Sequence, residues 1–182
     1  MAIDPQNSFS VSVKVSPALK AYLLAVNGGS DLIIPAKESR LWGLVKMHVE
    51  LLPGNYQPRK ASDEEENYIR IALFRYGMPT YNADHDKVQW IDTLWRNHLS
   101  PSGQQVIADY LMRNFKQQFR AYVTGALANN QSLSIHDAIF SFCERHSVNM
   151  DKITYEMLRK DWYRFRLRNK DQNVVPMTPK DF

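Results

Sequence analysis

The chain has 182 residues, of which 44% are hydrophobic and 23% charged, so it can bury a substantial core in one large domain or two small ones. Its single cysteine, Cys143, cannot form an internal disulfide, which excludes a disulfide framework and fits a reducing compartment. Residues 1–10 do not have the pattern of a secretory signal, and no apolar run approaches the roughly 20 residues of a membrane span. We therefore expect a cytoplasmic protein that does not enter a membrane.

The net charge of +4 is unevenly distributed along the chain. Residues 1–150 carry 15 Lys and Arg against 14 Asp and Glu, whereas residues 151–170 carry 7 against 3. A basic segment on a nearly neutral chain is typical of a surface that contacts nucleic acid, an acidic protein or anionic lipid. A solvated helix face carries the same charges, so that interpretation stays open.

The first elements are predicted to be a strand and a helix. Residues 9–15 alternate apolar and polar side chains, which is the period of a half-buried strand. Ser16 and Pro17 then begin a helix that ends at residues 27–29, Asn-Gly-Gly. This glycine pair lies at the C-terminal end of its helix, so it does not predict a phosphate-binding loop.

A second strand and a second helix complete a β-α-β-α order. The strand is predicted over residues 31–34 and is closed by Pro35. The helix runs from about residue 37, with Leu41, Leu44, Val45 and Leu52 on one side, and stops at residues 53–54, Pro-Gly.

The middle of the chain has weaker patterns. Residues 55–67 are polar and acidic and predict an exposed connection, and the acidic run over residues 63–66 does not have the spacing of a calcium loop. Residues 69–74 alternate as a strand does, residues 77–87 predict a loop, and residues 88–95 have helical spacing.

Three helices are predicted in the last third. A long helix begins at Pro101, and its apolar residues recur at spacings of three and four as far as Val123. Residues 134–137, Ser-Ile-His-Asp, resemble a capping box and begin a shorter helix. A turn over residues 147–149 then leads to a basic helix over residues 154–169.

The basic helix has two faces. Thr154, Leu158, Trp162 and Phe165 share one arc, and Arg159, Tyr163, Arg166 and Lys170 share an arc that points away. Thr154 is a good N-cap, and Ile153 before it is placed to pack against Leu158. A helix of this length spans about 24 Å, sufficient to lie along a DNA groove.

The candidate DNA-binding residues are the cationic and tyrosine side chains of this helix. Arg pairs bidentately with guanine, Lys contacts phosphate as a point charge, and the Tyr hydroxyl can hydrogen-bond to phosphate. The candidates are Lys152, Tyr155, Arg159, Lys160, Tyr163, Arg164, Arg166, Arg168 and Lys170.

Long helix, short helix, turn and basic helix is the order of a tri-helical helix-turn-helix domain. The sequence FCERHSVNMDKITYEMLRKDWYRFR resembles the C-terminal helix-turn-helix segment of small DNA-binding proteins carried by bacterial phages and mobile elements. The resemblance covers roughly residues 132–170 and implies that the last helix enters the major groove of DNA. It departs from a tight helix-turn-helix, because residues 147–153 separate the predicted helices where about three or four residues are usual.

No residue pattern predicts a metal, a cofactor or a catalytic site. His136, Cys143 and His146 do not make a four-ligand zinc set, so Cys143 is predicted to be a core residue. Residues 84–86, Asp-His-Asp, have no partner motif and are interpreted as a solvated loop. We therefore expect a protein that is not an enzyme.

Together these patterns predict an α+β protein. Residues 1–99 form a β-α-β-α module of unknown role, residues 100–170 a helical, helix-turn-helix-like module, and residues 171–182 a tail. The predicted function is binding of double-stranded DNA through residues 154–169, and a homodimer would double the phosphate contacts although no pattern establishes one. The alternative is a protein interaction or assembly module that binds an acidic partner through the same helix, with RNA as a third candidate ligand.

Overall fold

A computed structural model of the chain describes residues 10–36, 38–51, 67–73 and 98–171. Three of the predictions lie outside these ranges: the loop over residues 77–87, the Asp-His-Asp sequence within it, and the helical segment over residues 88–95. The acidic connection, apart from Asn67, and residues 172–182 of the tail lie outside them as well.

The described residues form five strands and five helices, which confirms the α+β class. The strands are β1 (Ser10–Lys14), β2 (Leu32–Ile33), β3 (Val49–Glu50), β4 (Tyr68–Ala72) and β5 (His98–Leu99). The helices are α1 (Pro17–Val26), α2 (Arg40–His48), α3 (Pro101–Asn129), α4 (Ile135–Arg145) and α5 (Lys152–Asp171).

The chain divides into two compact units, Met1–Arg113 and Asn114–Phe182, and the boundary falls within α3. The domain limits expected at residues 99–100 and 170–171 stay predictions.

A three-stranded sheet lies in the first unit, with strand order β1-β4-β2. β1 is antiparallel to β4, with Val11 opposite Ile71, and β2 is parallel to β4. The alternation expected from the sequence is present, since Val11 and Val13 are buried whereas Ser12 and Lys14 are exposed. The strand predictions for β1, β2 and β4 are therefore confirmed.

Helix α1 begins and ends where its capping residues are found. The Ser16 hydroxyl accepts a hydrogen bond from the Leu19 backbone N–H at 3.3 Å, and Pro17 occupies the first helical position. At the other end the Asn27 side-chain amide donates to the carbonyls of Ser30 and Leu32 at 2.8 and 2.9 Å. Asn27 therefore connects the end of α1 to β2, with the intervening turn made by two glycines of positive φ.

The C-terminal limit predicted for α2 is wrong. The helix ends at His48 rather than at residues 53–54, because Val49 and Glu50 are extended and pair antiparallel with β5. A β-branched valine favours extended backbone, and the pairing with Leu99 satisfies backbone groups that a longer helix would have used. Leu51, the residue after β3, is exposed, and Leu52, which was expected on the apolar face of the helix, lies outside the described residues.

Three helical segments make up the described part of the second unit: α3 from Asn114 onward, α4 and α5. The Phe142 ring of α4 packs against three rings of α3, 5.9 Å from the ring of Phe115, 5.2 Å from that of Phe119 and 5.5 Å from that of Tyr122. The Phe115, Phe119 and Phe142 side chains are almost completely buried, and Leu158 of α5 is fully buried as well. The predicted apolar faces of these helices are therefore confirmed.

A bidentate ion pair joins β4 to the residue before β2. The Arg70 guanidinium donates to both carboxylate oxygens of Asp31 at 2.9 and 2.8 Å. This hydrogen bonding holds the pKa of the Asp31 carboxyl below its ordinary value of 3.8. A depressed folded-state pKa stabilises the folded protein above the unfolded-state value, and the stabilisation disappears as pH falls through the folded-state value.

We therefore expect Asp31→Asn to lower the thermal unfolding midpoint at pH 7, and the difference from wild type to shrink as the pH is taken below about 4. Thermal unfolding followed by circular dichroism between pH 7 and pH 3 measures it. A difference that stays constant over this range would show that the carboxylate charge contributes nothing.

Two glycines of α3 differ in the space around them. A Cβ on Gly103 would lie 2.9 Å from the Cβ of His48, whereas a Cβ on Gly125 would meet no atom within 4 Å. Since the Cβ of His48 is fixed to the α2 backbone, the absence of a side chain at Gly103 permits the close approach of α2 and α3.

Gly103→Ala is expected to lower the free energy of unfolding by about 1 kcal/mol or more, because overpacking outweighs the gain in helix propensity. The matched change Gly125→Ala is expected to raise it by about 0.5–1 kcal/mol. Urea unfolding of the two variants measures both signs, and stabilisation by Gly103→Ala would contradict the close approach.

Candidate nucleic-acid interface

The connection between α4 and α5 is fixed by hydrogen bonds. Ser147 has a φ of 52°, in the left-handed region, and its N–H donates to the Glu144 carbonyl at 3.2 Å. The Val148 N–H donates to the Cys143 carbonyl at 2.9 Å, and the Val148 side chain is buried. These two bonds form a Schellman motif, so α4 ends in a defined turn.

The N-cap of α5 is Asp151, and the prediction of Thr154 is wrong. The Asp151 carboxylate accepts from the Thr154 backbone N–H at 2.7 Å, and this bond holds the pKa of Asp151 below its ordinary value. A carboxylate at a helix N-terminus also interacts favourably with the helix dipole, which a threonine hydroxyl does not. Ile153 is 82% exposed, so the packing expected against Leu158 does not form. The helices are consequently separated by six residues, 146–151, rather than the predicted seven.

The inner face of α5 is the one that the sequence predicted. Thr154, Leu158 and Trp162 are buried, and Phe165 is half-buried with its ring 5.6 Å from that of Trp162. The buried face predicted for this helix is therefore confirmed.

Asp161 is a buried charge on this inner face that the sequence analysis missed. The Arg120 guanidinium donates to its two carboxylate oxygens at 2.8 and 2.7 Å, and the Lys116 ammonium lies 3.8 Å from one of them. The hydrogen bond to Asp161 raises the pKa of Arg120, and the same guanidinium lies over the Phe165 ring at 5.4 Å. A carboxylate between Leu158 and Trp162 was the available signal, but its partner is 41 residues away in sequence.

The outer face of α5 carries the candidate residues. Most of them are exposed, namely Lys152, Arg159, Lys160, Tyr163, Arg164, Arg166 and Arg168. Tyr155 is half-buried, with its ring 5.4 Å from that of His136 on α4, and the side chain of Lys170 lies outside the described residues. The helix therefore presents six cations and one tyrosine together.

Few carboxylates neutralise these cations. Arg159 lies 3.3 Å from Glu156 in an exposed pair, which is the one ion pair of the six cations within the described ranges. A pair of this kind contributes about 0–1 kcal/mol and is screened by salt. Asp161 is paired with Arg120 and therefore does not neutralise the positive charge of the outer face.

One row of these charges is unfavourable to the helix itself. Lys160, Arg164 and Arg168 follow one another at intervals of four residues, and like charges at this spacing destabilise a helix by about 0.2–0.5 kcal/mol per pair. The row therefore reduces the stability of α5 unless an anion lies near it.

The described residues offer no group of three or more His, Cys, Asp or Glu side chains that could hold a metal ion. Cys143 is buried in the core of the second unit as predicted, and burial raises the pKa of its thiol to about 11. No helix within the described ranges is long and apolar enough to cross a membrane.

Comparison of the chain with protein-family models, curated proteins and solved structures gives no match. The interpretation of α5 therefore depends on its own geometry.

The buried ion pair yields a stability prediction. Arg120→Ala leaves the Asp161 carboxylate buried with only the more distant Lys116, so we expect the free energy of unfolding to fall by about 2–4 kcal/mol. Arg113 is exposed on the same helix, and Arg113→Ala is expected to change the free energy of unfolding by less than about 0.5 kcal/mol. Urea unfolding of the two variants measures both changes, and equal effects would mean that the buried Asp161 carboxylate does not need the Arg120 guanidinium.

Proposed function

We propose that the chain is a DNA-binding protein without enzymatic activity, and that it contacts duplex DNA through the outer face of α5. The observation that carries the proposal is the exposure of six Lys and Arg side chains on one helix, of which only Arg159 has a carboxylate within ion-pair distance among the described residues. Exposed cations in such a group bind phosphates and release the counterions of DNA.

The dimensions of α5 suit the major groove. The helix has 20 residues and is therefore about 30 Å long. With its side chains an α-helix is about 10–12 Å wide, and the major groove of B-DNA is about 12 Å wide. A helix that lies in this groove brings side chains on both of its flanks to phosphates.

The unfavourable row of cations supports an anionic ligand. Lys160, Arg164 and Arg168 repel one another in the free protein, and phosphates near them would remove that repulsion. The Arg120–Asp161 pair supports the same proposal, because it lies on the buried face and leaves the row uncompensated.

A second candidate is an interaction module that binds an acidic protein through α5. Tyr163 and Leu167 are large and exposed among the arginines. Tyr and Arg are residue types enriched at the centres of protein interfaces. Binding of an acidic peptide together with failure to bind any duplex would favour this candidate.

The proposal predicts a specific effect of charge reversal. Arg164→Glu combined with Arg166→Glu is expected to weaken binding to duplex DNA by at least about 100-fold at low salt, because two phosphate contacts become repulsive. Electrophoretic mobility shift measures the affinity, and helical circular dichroism shows that the exposed substitutions leave the fold intact.

The matched control is Lys46→Glu combined with Arg113→Glu. These residues are exposed on α2 and α3, and the control changes the net charge of the chain by the same amount. We expect the control to bind duplex within a few-fold of wild type. Equal losses in both double variants would indicate attraction by net charge alone, and unchanged affinity in the α5 variant would remove the proposal.

A further inference from the structure

The outer face of α5 has two exposed large side chains between its arginines. Tyr163 is 64% exposed and Leu167, one helical turn later, is 47% exposed. At 3.6 residues per turn, Arg164 lies about 80° around the helix from the line through these two residues, and Arg166 lies about 80° away on the other side. We call Tyr163 and Leu167 the central strip.

The remaining cations fall on the two sides of this strip. Lys152 and Arg159 lie on the side of Arg166, whereas Lys160 and Arg168 lie on the side of Arg164. The charges therefore form two flanking rows rather than a uniform surface, and Tyr163 and Leu167 between them are uncharged. Glu156, two helical turns before Tyr163, lies on the same line and is paired with Arg159.

We infer that the central strip contacts base edges on the floor of the major groove while the flanking rows bind the phosphates of the two strands. The inference rests on the proposed function and adds which residues carry sequence preference. Phosphate contacts position a protein on DNA without distinguishing sequences, whereas contacts to base edges distinguish them. A helix centred in the groove brings its middle to the floor and its flanks to the walls.

The apolar side chain of Leu167 indicates which base it would contact. Its side chain has no hydrogen-bond donor or acceptor, so among the groups of the major groove it favours the C5-methyl group of thymine. The Tyr163 hydroxyl is able to hydrogen-bond to an adjacent base. The preferred site therefore contains a thymine at a position set by Leu167.

The same geometry separates DNA from RNA. The major groove of an A-form RNA duplex is deep and too narrow to admit a helix, and RNA carries uracil without the methyl group. An RNA duplex of the same sequence is therefore expected to bind more weakly than the DNA duplex.

Selection from a pool of duplexes about 20 base pairs long, two helical turns, with random sequence tests the inference. The full chain is used as wild type, as Leu167→Ala and as Leu51→Ala, a control at a leucine of similar exposure, 58%, in the first unit. Wild type and Leu51→Ala are expected to enrich the same thymine-containing site. In Leu167→Ala the preference for that site falls by about fivefold or more, with the salt dependence of binding unchanged.

Replacing the selected thymine by deoxyuridine removes only the methyl group and tests the contact without altering the protein. The affinity of wild type for the selected site is expected to fall by the same factor that the Leu167→Ala substitution costs. The affinity of Leu167→Ala is expected not to change. By contrast, Arg164→Gln combined with Arg168→Gln should weaken binding to every duplex by the same factor, whatever its sequence. It should also reduce the slope of log affinity against log salt by about 1.8, which is 0.9 for each charge.

The outcomes distinguish this inference from the proposed function. If wild type binds duplexes without preferring any, if deoxyuridine costs both proteins equally, or if the RNA duplex binds as tightly, the central strip does not read bases although DNA binding stands. If wild type binds no duplex at any salt concentration but binds an acidic peptide or vesicles of anionic lipid, both are overturned.

Discussion

The burial of one face of α5 is the constraint on which the rest of the second unit depends. Leu158 is fully buried and Trp162 nearly so. A leucine side chain contributes about 1.5–3 kcal/mol when it leaves water. A buried ion pair such as Arg120–Asp161 roughly breaks even against desolvation, so the apolar side chains supply the stability and the pair supplies the orientation. Turning α5 by one residue, about 100°, would bring Arg159 to the place of Leu158, and a buried unpaired arginine costs several kcal/mol.

The orientation of α5 determines the electrostatics of its outer face. The helix carries two carboxylates between Lys152 and Lys170, and one of them, Asp161, is directed to Arg120 on the inner side. Glu156 remains outside and pairs with Arg159. The chain therefore uses one acidic residue to hold the helix in place and leaves most of the basic residues uncompensated. An anion that binds this face is not required to displace the internal pair.

The sequence predicted elements that are determined by local interactions. Each of these elements depends on residues that are close in sequence. They are the alternation in β1, the Ser16 cap of α1, the Ser134 cap of α4 and the basic face of α5. The end of α2 was predicted wrongly, because it depends on pairing between Val49 and Leu99, 50 positions apart. The Arg120–Asp161 pair was not predicted for the same reason, because its partners are 41 residues apart in sequence. A periodic pattern shows that Asp161 interrupts an apolar face, but it does not show which cation pairs with it. At the start of α5 two capping residues competed, and the one with the charged side chain is used.

The connection between α4 and α5 determines how far the helix-turn-helix interpretation extends. Six residues are more than the three or four of a tight turn, and a longer connection ordinarily leaves the angle between two helices less defined. Here the Schellman motif at Ser147 fixes the end of α4, the buried Val148 anchors the middle, and the Asp151 carboxylate fixes the start of α5. Ser147 adopts its left-handed conformation at a cost of about 1 kcal/mol, since it is not glycine, so the surrounding contacts must hold the turn. A connection restrained at both ends and in the middle presents the outer face of α5 at a defined orientation to α4. Sequence recognition requires such definition, whereas general attraction to phosphates does not.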